Sequence, residues 1–254
     1  MTAATASKLP AVTAAFWVMK IAATTLGETA GDLLSMTLGV GYAASSLGLV
    51  SAFVVTLGLQ LAARRYRPPL YWLVILTTST AGTTMSDYMD RTLGLGYAKG
   101  AALLVALLLA VLGAWRLTTG SLSVDRVTTR KTELFYWIAI LVSNTLGTAL
   151  GDFLSDSSGL GFAGGAALIG GLLALVLLAK FFTRASRVLL FWIAFVLTRP
   201  FGATVGDALT KPRAAGGLAL GTAGASAVLA AILVAFVARA TVRERRLASA
   251  SVSG

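Results

Sequence analysis

The 254-residue chain contains no cysteine and no histidine. Their absence excludes disulfides, thiolate sites and imidazole metal ligands, and it removes the side chain that usually carries a proton near neutral pH. Charged residues are also scarce, at 12%, which is about half of what a soluble domain carries. In their place are long apolar runs such as 101–115 and 166–180, so the sequence predicts an all-α polytopic membrane protein.

The chain is strongly basic, with a net charge of +11. In a soluble protein this charge would suggest a nucleic-acid partner, but basic residues that flank apolar segments are the usual topology signal of membrane proteins. We therefore expect no nucleic-acid partner. Residues 1–20 lack the basic stretch and the cleavage site of a signal peptide, so the first apolar segment is expected to remain as a transmembrane helix.

One pattern occurs four times: an aromatic residue, Trp, nine residues, Gly, four residues and Asp. Its first copy reads FWVMKIAATTLGETAGD, and a glycine motif (GVGYA, GLGYA or GLGFA) follows the Asp in the first three copies. The fourth copy has GGLALG over 216–221 instead. Such glycine-rich punctuation predicts a sharp connection to a second apolar helix. The repeated residues are Trp17, Trp72, Trp137 and Trp192, and Asp32, Asp87, Asp152 and Asp207.

Each repeat therefore predicts a helical hairpin, and four hairpins predict eight transmembrane helices in a single membrane domain over 1–254. The helices are expected near 13–36, 43–63, 69–90, 98–116, 133–155, 163–182, 187–209 and 217–239. The repeats cover 13–63, 69–116, 133–182 and 187–239, with a cytoplasmic loop at 117–132 and a cytoplasmic tail at 240–254.

Fifteen of the 21 basic residues fall on one side of this arrangement, which the positive-inside rule makes cytoplasmic. Both termini are then cytoplasmic, and because every repeat crosses the membrane twice, all four have the same orientation. Such parallel repeats can surround a pseudo-fourfold axis along the membrane normal. The fifteen residues are Lys8, Arg64, Arg65, Arg67, Arg116, Arg126, Arg130, Lys131, Lys180, Arg184, Arg187, Arg239, Arg243, Arg245 and Arg246.

Each repeat Asp lies fifteen residues after its Trp, which is about 22 Å along a helix. Four parallel repeats would bring the four carboxylates to one depth, as a ring inside the bilayer. Glu28 adds a fifth acid in the first repeat. Carboxylate, hydroxyl and amide oxygens suit hard ions such as Mg²⁺, Mn²⁺ or Ca²⁺. The predicted metal ligands are Glu28, Asp32, Asp87, Asp152 and Asp207, and the predicted path residues are Thr25, Thr80, Asn144 and Thr145.

Two basic residues fall at membrane depth. Lys20 is expected to snorkel to the cytoplasmic surface. Arg199 is expected either to pair with Asp207 or Asp152 or to act as a displaceable internal cation. Five acids against two bases leave three surplus negative charges, so either some acids are protonated or a cation neutralises them. Three charges near the outer helix ends are interpreted as solvated interface charges: Asp90, Arg91 and Asp156.

This pattern predicts membrane transport of a hard cation, with divalent ions preferred, and the ion is the substrate because no resident cofactor is expected. The alternative is a non-transporting scaffold or regulatory membrane protein whose Asp and Arg residues pair structurally. We expect no enzymatic activity. Intramembrane aspartyl proteases carry Gly-x-Gly-Asp, and none of TAGD, TMSD, ALGD and TVGD matches that motif.

Three stretches carry a resemblance to a known family: KLPAVTAAFWVMKIAATTLGETAGD, FYWIAILVSNTLGTALGD and FWIAFVLTRPFGATVGDALTKPRAAGGLALG. Over almost all of residues 8–240 the chain resembles bacterial polytopic proteins described as uncharacterised membrane-anchored proteins. The resemblance implies a multi-pass protein of the bacterial inner membrane and supplies no activity. Anionic lipid headgroups are the expected partners of the cytoplasmic basic segments, and the protein is expected to be a monomer or a homodimer.

Overall fold

The computed structural model describes residues 8–63 and 65–250, which leaves Arg64 and the last residues of the expected tail, 251–254, outside the described part. The described residues form eight α-helices and no strand. The helices are α1 (Ala14–Asp32), α2 (Tyr42–Ala62), α3 (Pro68–Asp87), α4 (Tyr97–Thr119), α5 (Arg130–Asp152), α6 (Gly161–Phe182), α7 (Arg187–Thr210) and α8 (Thr222–Ala250).

Six of these helices are long and apolar enough to cross a membrane: α2, α4, α5, α6, α7 and α8. The chain is therefore a membrane protein with transmembrane helices. The other two, α1 and α3, were also expected to span the bilayer. Their composition explains the difference, because α1 contains Lys20, Glu28 and Asp32, and α3 contains a run of Thr and Ser residues.

The helix starts follow local capping rules. The side chain of Thr13 accepts a hydrogen bond from the backbone N–H of Phe16, and Thr129 forms a capping box with Thr132 at the start of α5. Two prolines open α3, where a missing N–H costs nothing. At the other end of the chain, α8 begins later than expected and continues to Ala250, so much of the predicted tail is helical.

The connection after each repeat Asp is built from a π-helical turn and glycines. A π-helical turn follows α1, α3 and α5, over Leu33–Thr37, Tyr88–Thr92 and Phe153–Ser157. Both glycines of each following motif have positive φ, for example +70° at Gly39 and +82° at Gly41. In the fourth repeat Ala219 takes the position of the first glycine, with a φ of 56°.

The four helices that carry the repeat motif form a closed ring. Helix α1 packs against α3 and α7, and α5 packs against the same two helices. We call these four the inner helices. Gly27 of α1 lies against Ser79 of α3, and one turn further along both helices Gly31 lies against Thr83, so the two helices run parallel. These small residues, four apart on α1, allow the two helices to approach closely.

The other four helices, which we call the outer helices, cover the ring. Only 17% of the apolar window of α2, α6 and α8 is buried, and 28% of that of α4, against 72% for α5 and 50% for α7. Each outer helix packs mainly on the inner helix of the next repeat: α2 on α3, α4 on α5, α6 on α7, and α8 on α1.

This packing differs from the expected hairpins. Helix α2 meets its own repeat chiefly at the connecting turn, since its main partner is α3. The physical reason is that α1 already packs against the inner helices α3 and α7 and the outer helix α8, which leaves no face of α1 for α2. Each outer helix therefore packs on the inner helix of the next repeat, and α8 of the last repeat packs on α1 of the first.

An aromatic layer fills the ring at the end where the repeat tryptophans lie. The hydroxyls of Tyr71 and Tyr136 are hydrogen-bonded at 2.6 Å between α3 and α5. Ring contacts continue from these tyrosines to Trp137, Trp192 and Phe195. The layer is nearly free of solvent exposure, so it closes this end of the bundle.

Candidate functional site

The inner helices present buried side chains to the interior of the ring at every fourth position. Counted from each repeat Trp, positions 7, 11 and 15 are buried in all four helices. Helical geometry puts such positions on one face. The three layers are Thr24, Ser79, Asn144 and Arg199; then Glu28, Thr83, Thr148 and Ala203; and then the four repeat aspartates.

Arg199 lies at the centre of the ring and has no solvent exposure. Its Nη1 donates to Oε2 of Glu28 on α1 at 2.9 Å. Its Nη2 donates to the hydroxyls of Thr83 on α3, at 2.5 Å, and Thr148 on α5, at 2.7 Å. A side chain of α7 that contacts all three other inner helices must cross the bundle axis.

Glu28 completes this arrangement from the opposite direction. Its Oε2 also accepts hydrogen bonds from Thr83 at 3.3 Å and from Thr148 at 3.1 Å. Glu28 is only 2% exposed, and breaking a buried ion pair of this kind is costly because it leaves an uncompensated charge. The Glu28–Arg199 pair, which we call the central ion pair, therefore blocks the axis between the aromatic layer and the aspartates.

Two basic side chains each form ion pairs with two of the four repeat aspartates. Nζ of Lys211 lies 3.0 Å from Oδ2 of Asp32 and 3.2 Å from Oδ1 of Asp207, linking α1 with α7. Arg91 links α3 with α5 in the same way. Its Nε lies 2.9 Å from Oδ1 of Asp87, and its Nη2 lies 3.2 Å from Oδ2 of Asp152.

Lys211 lies just beyond the end of α7, between two carboxylates. Partial burial favours its neutral form, but the charges of Asp207 and Asp32 outweigh burial and raise the pKa of the Lys211 amine above its ordinary value. The lysine therefore stays positively charged throughout the physiological pH range.

Three carboxylates form the tightest acidic group among the described residues. Glu28, Asp32 and Asp207 each offer one oxygen, and these oxygens all lie within 4.8 Å of one another. All three residues are buried. Three carboxylate oxygens at this separation are a ligand set that suits a hard cation of the Mg²⁺, Mn²⁺ or Ca²⁺ class.

A family model matches the chain four times, over residues 15–66, 70–121, 135–186 and 190–246. The family is described as Repeat of Unknown Function (DUF347). The chain belongs to the DUF347 family. No curated protein and no solved structure matches it. The four matched segments contain the four Trp–Gly–Asp copies found in the sequence, so the predicted internal repeat is confirmed.

The predicted path residues of the DUF347 repeats make different contacts. The hydroxyls of Thr25, Thr80 and Thr145 each donate to a carbonyl one turn earlier in their own helix. Thr145 instead borders an apolar cavity of about 330 Å³ between α3, α4 and α5. Asn144 does lie in the layer of Arg199, and its Nδ2 donates to the hydroxyl of Thr78 at 3.1 Å.

Two expectations about the bases at membrane depth differ from the structure. Arg199 pairs with Glu28, and its expected pairing with Asp207 or Asp152 is absent from the described contacts. The snorkelling expectation for Lys20 is wrong. Its side chain is fully buried, and its Nζ lies 4.2 Å from the ring centroid of Phe195 on α7.

The sequence interpretation missed that Arg91 and Lys211 contact the repeat aspartates. Arg91 was interpreted as a solvated interface charge, and Lys211 was assigned no role. Both follow a repeat Asp by four residues, a helical spacing that brings side chains together and could have identified them.

The other two expected interface charges, Asp90 and Asp156, differ in solvent exposure. Asp90 is 5% exposed, accepts a hydrogen bond from Ser86, and packs against Gly100 of α4, so it is not solvated. Asp156 is exposed, as expected, and accepts a hydrogen bond from Tyr97 at 3.4 Å.

Proposed function

We propose that this DUF347 protein transports a hard cation, preferably divalent, through the site formed by the central ion pair and the repeat aspartates. The observation that carries the proposal is the charge balance of that site. Five buried carboxylates contact three bases, Arg91, Arg199 and Lys211, so a fully ionised site has two negative charges in excess. Buried charge requires a counter-charge, and one divalent ion would supply it.

The membrane arrangement that goes with this function has eight spans, as four parallel repeats around a pseudo-fourfold axis with both termini in the cytoplasm. The closed ring of inner helices and the recurring glycine contacts support it. The concentration of basic residues on one side supports the orientation. Four repeats complete the ring within one chain, so a monomer suffices, and the resemblance to bacterial proteins suggests the inner membrane as its location.

In the proposed cycle the cation arrives from the end of the ring where the aspartates lie. The side chain of Lys211 is 24% exposed there and lies between Asp32 and Asp207. These are two of the three residues of the tightest acidic group. A divalent ion would displace the ammonium group and bind to those oxygens and Glu28. Further movement requires the central ion pair to open, because Arg199 crosses the axis.

The decisive experiment is a flux assay in proteoliposomes that contain a dye sensitive to Mn²⁺. Asp207→Asn should abolish Mn²⁺ entry while the protein remains folded, because it removes one ligand oxygen charge and one partner of Lys211. Asp125→Asn is the matched control, since Asp125 is exposed in the connection between α4 and α5. Absence of flux in the wild-type protein for Mn²⁺, Mg²⁺ and Ca²⁺ alike would refute the proposal.

A scaffold function is the second candidate, and one observation favours it. Each repeat aspartate already has a base as a partner, so all four could serve only to hold neighbouring helices together. A scaffold predicts that Asp207→Asn lowers the melting temperature and that no ion raises that of the wild-type protein. A transporter predicts that its ion raises the melting temperature by mass action.

A further inference from the structure

Lys20 is a buried basic residue that the proposed cation site does not use. Its side chain has no solvent exposure, and its Nζ has no hydrogen-bond partner among the described residues. The nearest carboxylate on its own helix face, Glu28, is engaged by Arg199 and two threonines. The amine of Lys20 instead lies over the face of the Phe195 ring. An ammonium group without a counter-ion is costly at such a place.

The position of Lys20 sets it apart from its repeat equivalents. It lies three residues after Trp17, and the corresponding residues of the other repeats are Ile75, Ile140 and Phe195, all buried. The layer is therefore apolar except for one amine. Apolar packing would be satisfied by a fourth hydrophobic residue, so the amine needs a reason other than stability.

The charged and titratable groups around Lys20 are few. Helix α7 supplies Arg199, α1 itself supplies Glu28, and α3 supplies the hydroxyl of Tyr71, which is bonded to Tyr136. Helix α8, which also packs on α1, has no ionisable residue before Arg239. The chain has no histidine, so a lysine amine and carboxylates are the groups left to carry a proton inside the ring.

Polar atoms connect the level of Lys20 with the cation site. Nε of Arg199, Oγ of Ser79 and Oδ1 of Asn144 are buried in the layer between them and have no hydrogen-bond partner among the described residues. Buried polar atoms of this kind are ordinarily satisfied by internal water. Water bound at these atoms would supply a route by which a proton could reach or leave the Lys20 amine.

We propose that Lys20 is a proton-binding site coupled to the cation site, so that binding of a divalent ion favours release of a proton from its amine. This inference rests on the proposed cation transport. In the step, one N–H bond of the ammonium breaks, the electron pair stays on Nζ, and the proton passes to water. Glu28 follows Lys20 by eight residues, about 12 Å along the helix. At an effective dielectric constant of about 20, a divalent ion at the level of Glu28 weakens proton binding at Lys20 by up to about a hundredfold.

The test counts protons released when Mn²⁺ is added to purified protein in weakly buffered detergent solution, while Mn²⁺ binding is measured on the same samples. Lys20→Arg keeps the positive charge but cannot lose a proton, and Lys20→Met removes the charge. Both variants should bind Mn²⁺ and release fewer protons per bound ion than the wild-type protein. Lys99→Met, at an exposed position of α4, should release as many as the wild type.

Three other outcomes would contradict the proton site or the cation site. Equal proton release by the wild-type protein and both Lys20 variants would overturn the proton site while leaving cation transport standing. Loss of Mn²⁺ binding in both variants would overturn it as well, since Lys20 would then belong to the cation site itself. A wild-type protein that binds none of Mn²⁺, Mg²⁺ and Ca²⁺ would refute the proposed function.

Discussion

The central ion pair gives the most direct test of the structure. Arg199→Met keeps an unbranched apolar side chain and removes the guanidinium, which leaves the carboxylate of the buried Glu28 without its base. Breaking a buried ion pair from one side costs about 3–5 kcal/mol. Glu28→Gln in the same background removes the stranded charge, so the double variant should be more stable than Arg199→Met alone. The expected coupling energy between the two sites is about 1–3 kcal/mol.

The assay is reversible unfolding in mixed micelles of increasing SDS fraction, followed by the fluorescence of the five tryptophans. Arg213→Met is the matched control because Arg213 is exposed in the connection before α8, and surface changes of this kind stay within about 0.5 kcal/mol. A loss below about 1 kcal/mol for Arg199→Met, or strictly additive effects in the double variant, would show that the two side chains are not paired across the axis.

Three further changes test the packing around the site by the same unfolding assay. Gly147→Ala should lose about 1–3 kcal/mol, since its Cβ would overlap the side chain of Arg199, whereas Gly58→Ala in α2 meets nothing within 4 Å and should gain up to about 1 kcal/mol. Ala219→Gly should gain about 0.5–1 kcal/mol because it relieves a positive φ of 56°. Tyr71→Phe should lose about 1 kcal/mol with the 2.6 Å hydroxyl pair in the aromatic layer. An unchanged Gly147→Ala variant, a destabilised Ala219→Gly variant or a neutral Tyr71→Phe variant would contradict the corresponding contact.

Much of this architecture follows from the repeat itself. The spacing from Trp to Gly to Asp predicted one helix face, and the structure buries that face in all four copies. Small residues four apart permit close approach of helices, and Gly27 and Gly31 approach α3 closely in the structure. These features depend on local geometry, which is the same wherever the helix is placed.

Features that depend on which helix lies next to which could not be predicted in this way. Helical periodicity shows that Arg199 is on the inner face, but the choice between Glu28, Asp152 and Asp207 is made by the reach of its side chain across the ring. The same limit applies to the outer helices. Each sits on the inner helix of the next repeat, a relation that no single repeat encodes.

The chemistry of the site comes from the differences between the repeats. A strictly fourfold ring would place four identical acids at one level, with no base among them, and would be unstable without bound cations. Here Glu28 and Lys20 occur only in the first repeat's inner face, and Arg199 only in the fourth. With Lys211 also in the fourth repeat, the polar site is concentrated where α1 meets α7. The common backbone holds the ring closed, and the differences between the repeats place the residues of the proposed cation site at one side of the ring.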